Sequence, residues 1–228
     1  MKKIRIKDLV EFGRKTSENT RKTFIRNLKD SVEKQDDADA RNYWVRSEAT
    51  IKRAFRDDDT QCISDKIDEL QDLLSDTSLH GGTIKQYNHN ISILKRFEDF
   101  NFSTLRPSND IKILSQRNGN KIIPIFGLPI ESAPSYVYSF ENSGKKEIGA
   151  IWFVAKKNGF KDFELGMFVD ILHRYLKIIF LGKCEVNSKF CIAVDLFNRT
   201  HLNYYQLEHK EVAKMLNPIV SKMKELIL

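Results

Sequence analysis

Two nearly unbroken apolar runs constrain this chain more than anything else in it: Ile148-Gly149-Ala150-Ile151-Trp152-Phe153-Val154-Ala155 and Phe190-Cys191-Ile192-Ala193-Val194-Asp195-Leu196-Phe197. A strand with one wet face alternates apolar and polar side chains. Runs without that alternation suit strands covered on both faces. Between them, residues 163–180 carry a helical pattern, which suits a crossover joining parallel neighbours. Tyr136-Val137-Tyr138-Ser139-Phe140 reads as a further strand, turned back by Glu141-Asn142-Ser143-Gly144-Lys145-Lys146. Residues 136–197 therefore read as strand, turn, strand, helix, strand.

The flanks extend this unit. Ile111-Lys112-Ile113-Leu114 is a short strand, and the Asn118-Gly119 pair predicts a hairpin that returns through Ile122-Ile123-Pro124-Ile125-Phe126. Pro124 confines that strand to an edge or a bulge. Residues 127–134, with two prolines, read as an extended connection. Residues 201–205 suggest a short strand, and 208–226 a final amphipathic helix broken or bent by Pro218. Upstream the period changes. Phe24, Ile25, Leu28 and Val32 share one helical face. So do Tyr43, Trp44, Ser47, Ile51, Ala54 and Phe55, then Ile67, Leu70, Leu73 and Leu74, then Tyr87, Ile91, Leu94 and Phe97. Gly81-Gly82 reads as a break, and the acidic stretch Gln35-Asp36-Asp37-Ala38-Asp39 as another. The Pro-containing segment around Arg106-Pro107-Ser108 is the natural boundary. The expected fold class is α+β: a helical domain over 1–105, then an α+β domain over 106–228 with a mixed sheet, a β-β-α-β core and a C-terminal helix.

At 228 residues, 41% hydrophobic and 11% aromatic, the chain is long and apolar enough to bury a sizeable core. Cys62, Cys184 and Cys191 lack zinc-ligand spacing and read as buried, reduced thiols. No apolar run approaches the roughly 20 residues of a membrane span, and the basic start Met1-Lys2-Lys3 is not followed by a signal-type apolar region. A cytoplasmic protein without membrane contact is expected. The net charge of +7 is uneven: residues 1–105 hold 20 basic and 19 acidic side chains, residues 106–228 hold 18 and 12. A basic second half points to DNA or RNA as partner.

Several groups are candidates for chemistry. On the helix at 163–180, Asp170, His173, Arg174, Lys177 and Gly166 share one arc. It forms either the wall of a site, with His173 as base or phosphate contact, or the polar stripe that any helix on a sheet must expose. Asp195 interrupts an apolar strand, where a lone carboxylate is costly unless paired. It is a candidate catalytic or metal-binding acid, or a residue that faces solvent or pairs with a lysine. Lys156, Lys157 and Lys161 around Phe160, and Arg199, His201, Tyr204 and Tyr205, interleave cations with rings as phosphate and base contacts do. With Arg174 they make the candidate nucleic-acid contacts, although ordinary loops flanking a sheet look the same. Asp57-Asp58-Asp59 suits the start of a helix better than a metal site, and His80 and His89 have no ligand spacing. Gly-rich phosphate loops, dinucleotide fingerprints and Gly-x-Ser-x-Gly elbows are absent.

The strand–turn–strand–helix–strand order over about 60 residues resembles, at the level of topology, the core of restriction-endonuclease-like nucleases. That resemblance implies an Asp, then Glu-x-Lys on the next strand, with the carboxylates holding Mg²⁺ and the lysine steadying the attacking water or the transition-state charge. The residues depart from it: Glu147-Ile148-Gly149 has no lysine two positions on, and Val154-Ala155-Lys156-Lys157 has no acid. A migrated set would draw on Glu131, Glu141, Glu147, Lys156 and Asp195. Three readings follow. The first is a non-catalytic binding protein, without a cofactor or metal, whose basic second half engages nucleic acid. The second is a divergent Mg²⁺-dependent nuclease. The third is a regulatory component that meets a protein partner through Tyr43, Trp44 and Phe55 of the helical half.

Overall fold

A computed structural model of the chain describes residues 3–30, 43–108, 110–115 and 121–227. The acidic stretch at 35–39, Val32 and the Asn118-Gly119 pair lie outside the described residues. In order, the elements are β1 (Ile4–Arg5), α1 (Ile6–Arg14), α2 (Glu18–Asp30), α3 (Val45–Asp57), α4 (Gln61–Leu74), α5 (Gly81–Phe97), a 3₁₀ turn (Phe102–Leu105), β2 (Lys112–Ile113), β3 (Ile122–Ile125), β4 (Leu128–Glu131), β5 (Tyr136–Asn142), β6 (Lys145–Val154), α6 (Asp162–Ile179), β7 (Glu185–Asp195), β8 (Thr200–Asn203), α7 (Tyr204–Glu208) and α8 (Leu216–Ile227). The fold is α+β.

The two apolar runs become β6 and β7, parallel neighbours at the centre of a five-stranded mixed sheet ordered β2-β5-β6-β7-β8. Their lack of alternation is explained by cover on both faces. Ile148, Ala150 and Val154 of β6, with Cys191 and Ala193 of β7, enter one core with α1, α6 and α8. Ile151, Phe153, Ile192 and Val194 point the other way, into a second core closed by α3, α4 and α5. Helix α6 is apolar on most sides because it lies between the sheet and α1, α8 and a second, three-stranded sheet ordered β1-β4-β3. No helix among the described residues is long and apolar enough to cross a membrane.

Local chemistry moves several boundaries from those expected. β2 pairs with β5, and β3 pairs instead with β4. Phe126 and Gly127, at φ +50° and +84°, make the tight turn between them, so residues 127–134 are half strand rather than a bare connection. Pro124 does lie on an edge strand. Tyr204 and Tyr205 are helical, not extended. Asn203 and Gln206 form a capping box, with Gln206 N donating to Asn203 Oδ1 at 3.0 Å and Asn203 N to Gln206 Oε1 at 3.1 Å. The last helix begins only at Leu216, which puts Pro218 in its first turn, where a missing N–H costs nothing. Gly81-Gly82 starts α5 rather than breaking the chain, because His80 Nδ1 accepts from Gly82 N at 3.1 Å and caps the helix. Strand β1 is too short for any period to announce it, and it pairs with β4 through Ile4 opposite Ile130.

Candidate nucleic-acid interface

The loops that follow β6 and β7 leave the sheet side by side, since Val154 pairs with Asp195 and Leu196 N donates to Val154 O at 2.9 Å. Asp195 fastens them together. It is fully buried, and its Oδ2 accepts from Phe160 N at 2.8 Å and Asn198 Nδ2 at 2.9 Å, while Oδ1 accepts from Phe197 N at 2.9 Å. Burial pushes its carboxyl up, and the donors at Phe160, Phe197 and Asn198 pull against that. Gly159, at φ +64°, passes so close that a Cβ there would collide with Asn198 Nδ2 and Asp195 Oδ2.

The other acids of the nuclease-like set lie elsewhere. Glu147 stands seven residues back along β6 from Val154, about 23 Å away at strand rise, and accepts from Asn142 and Asn187 at 3.1 and 2.6 Å. Glu131, on β4, pairs with Lys3 at 2.7 Å. Glu141 lies opposite Lys146 in the β5–β6 hairpin. Lys156 is ion-paired with Glu11 of α1. Among the described residues no three His, Cys, Asp or Glu side chains gather as metal ligands would.

Cations and rings gather at this end of the sheet. Lys157 and Lys161 lie in the loop after β6 and Arg199 in the turn after β7. Lys161 Nζ is 5.8 Å from the centre of the Phe163 ring. The guanidinium of Arg199 lies over Phe100 at 5.3 Å. Arg96, in the last turn of α5, lies over Phe197 at 5.1 Å and donates to the Phe197 carbonyl. None of Arg96, Lys157, Lys161 and Arg199 has a carboxylate partner among the described residues. Trp44 extends the surface: it stacks on His89 with centroids 5.9 Å apart and meets Phe197 edge-on at 6.4 Å. Tyr43 Oη is hydrogen-bonded to His89 Nδ1 at 2.5 Å. Phe55, by contrast, is no surface anchor. It is fully buried against Tyr136, Tyr138 and Phe153, because α3 must cover the sheet.

Arg174 and Tyr204 are not part of this surface. Arg174 stands twelve residues past Asp162, about 18 Å down the axis of α6. Its guanidinium grips buried Asp170 at 2.8 and 3.1 Å. Next to it, half-buried His173 stacks on Tyr204, with centroids 3.8 Å apart and planes 8° from parallel. Burial lowers the His173 pKa from 6.5 to about 4, with Lys177, Arg174 and Lys214 adding to the effect, so the ring is neutral at pH 7. Burial also pushes the Tyr204 hydroxyl up.

The six expected nucleic-acid contacts thus divide. Lys156, Lys157, Lys161 and Arg199 share one end of the sheet, although Lys156 is neutralised there, whereas Arg174 lies with Asp170 and His173 on α6 and Tyr204, at the start of α7, stacks on His173. Sequence reasoning missed Arg96, His89 and Phe197 as members of the surface, and read Trp44 as a protein contact. Spacing gives no signal for a set assembled across about 100 residues; only the basic last turn of α5, Lys95-Arg96, hints at it. Neither a protein-family model, nor a curated protein, nor a solved structure matches the chain.

Proposed function

We propose that the protein binds nucleic acid, without catalysis of its own, through the surface at the C-terminal ends of β6 and β7. One observation carries this reading. Arg96, Lys157, Lys161 and Arg199, from three separate segments, stand at one end of the sheet without carboxylate partners among the described residues, and all but Lys157 lie against aromatic rings. Neighbouring unpaired cations repel one another, and a phosphate chain relieves that repulsion while releasing its own counterions. Three of the four charged groups lie over rings, and that contact restricts them before binding, so less side-chain freedom is lost when a phosphate arrives.

The test is fluorescence anisotropy of labelled DNA and RNA oligonucleotides with the full chain across a salt series. Log K is expected to fall linearly with log salt. The Arg96→Gln/Arg199→Gln variant should reduce the slope by about 2, one for each phosphate contact removed. Absence of salt-sensitive binding at low ionic strength overturns the proposal, as does an unchanged slope in the variant.

A further inference from the structure

A second basic cluster lies down α6, clear of the surface just described. Its centre is the His173–Tyr204 stack. Lys177 follows His173 by one helical turn on the same face. Lys214, on the segment between α7 and α8, brings Nζ to 5.8 Å from the centre of the Tyr204 ring. Arg174 also flanks the stack, but Asp170 already holds both arms of its fork. Lys177 and Lys214 have no carboxylate partner among the described residues. Neither the His173 ring nitrogens nor the Tyr204 hydroxyl has a hydrogen-bond partner there. A plain solvent stripe spreads such groups out in water. Here two ammonium groups flank two ring donors that packing has fixed face to face.

We infer that Lys177, Lys214, His173 and Tyr204 form a binding site for a phosphate group. The lysines supply charge that no protein carboxylate cancels. The imidazole N–H and the phenol O–H supply two direction-specific donors whose rings are already immobilised. Asp170 neutralises Arg174 and holds it at the rim, so the local excess comes from the two lysines. Glu208 and Asp170 are the acidic groups that Tyr204 senses, and both lie on the α7 and α6 sides of the stack. The phosphate belongs either to a small phosphorylated compound or to the backbone of the nucleic acid bound at the other surface.

The test is a proton titration of the His173 ring by NMR in the full chain, with inorganic pyrophosphate in one arm and a DNA oligonucleotide in the other. A bound phosphate anion, whether pyrophosphate or a backbone phosphodiester, favours the imidazolium. The His173 midpoint should therefore rise from about 4 by about one unit or more. A rise with pyrophosphate identifies a free phosphate compound, and a rise with the oligonucleotide alone identifies the backbone. The exposed double variant Lys177→Gln/Lys214→Gln should abolish the rise. No movement in either arm, or a rise that persists in the double variant, overturns the inference. Anisotropy of the Arg96→Gln/Arg199→Gln variant reads the other surface, so failure of either proposal is seen separately.

Discussion

A carboxylate at the end of a buried strand serves either chemistry or architecture, and its hydrogen-bond partners separate the two. Asp195 has three donors on two loops and is fully buried. Replacing it with Ala leaves Phe160 N and Phe197 N without acceptors and frees the Gly159 loop. Hydrogen bonds to charged groups are worth about 1.5–3 kcal/mol each and are partly redundant. Asp195→Ala should therefore lower the unfolding free energy by roughly 3 kcal/mol, read as a shift of the urea midpoint at constant slope. A loss within experimental scatter would show that the loops hold without it. The sequence already marked Asp195 as anomalous, since a lone acid in an apolar run needs a partner. It did not identify the partners, because two of the three are backbone N–H groups whose position depends on how the chain turns.

At the scale of the element, α6 shows what periodicity conveys and what it hides. Its length and apolar girth were legible, as were β6 and β7, because cover on both faces imprints itself on every residue of a run. The turn at Phe126-Gly127 and the Asn203–Gln206 cap were not, since each depends on two residues whose meaning comes from φ or from a reciprocal hydrogen bond. Helix α6 also carries a pH dependence. His173 titrates at 6.5 when unfolded and about 4 when folded, so as pH falls the unfolded chain takes up the proton first. Stability is then full above about pH 6.5, declines between about 6.5 and 4, and levels off below that window. His201 is shifted down by burial too and adds to the same slope. Glu164 lies in a lower window. Burial opposes its charge, but Arg14 at 2.6 and 2.5 Å and the Lys161 N–H outweigh that, so its contribution is lost only as pH falls below the ordinary carboxylate value. Thermal melts from pH 7.5 to 4 should show a shallower decline for His173→Gln than for the parent. Equal slopes would refute the assignment.

Across the whole molecule, the sheet has no face it can leave bare. α3, α4 and α5 close one side, and β1, α1, α6 and α8 close the other. The segment 106–228 alone would expose Ile151, Phe153, Ile192 and Val194, and would lose β1, one of the two partners of β4. Such a fragment should keep much of its far-ultraviolet circular dichroism, lose its near-ultraviolet signal and bind hydrophobic dyes. A fragment with a native near-ultraviolet spectrum and a cooperative melt would refute this. The same dependence explains why the candidate interface was only half legible. Lys157 and Arg199 stood out as basic loops, whereas Arg96 and Trp44 reach that end of the sheet only once the helices have docked.

The pairing of Ile4 with Ile130 has a temporal side. A chain emerging from the ribosome presents its first strand long before the strand that receives it exists. Residues 4–14 must wait, apolar side chains unsheltered, until the receiving strand Leu128–Glu131 has been made. Closing so large a loop slows folding and lengthens exposure to chaperones and to misassembly.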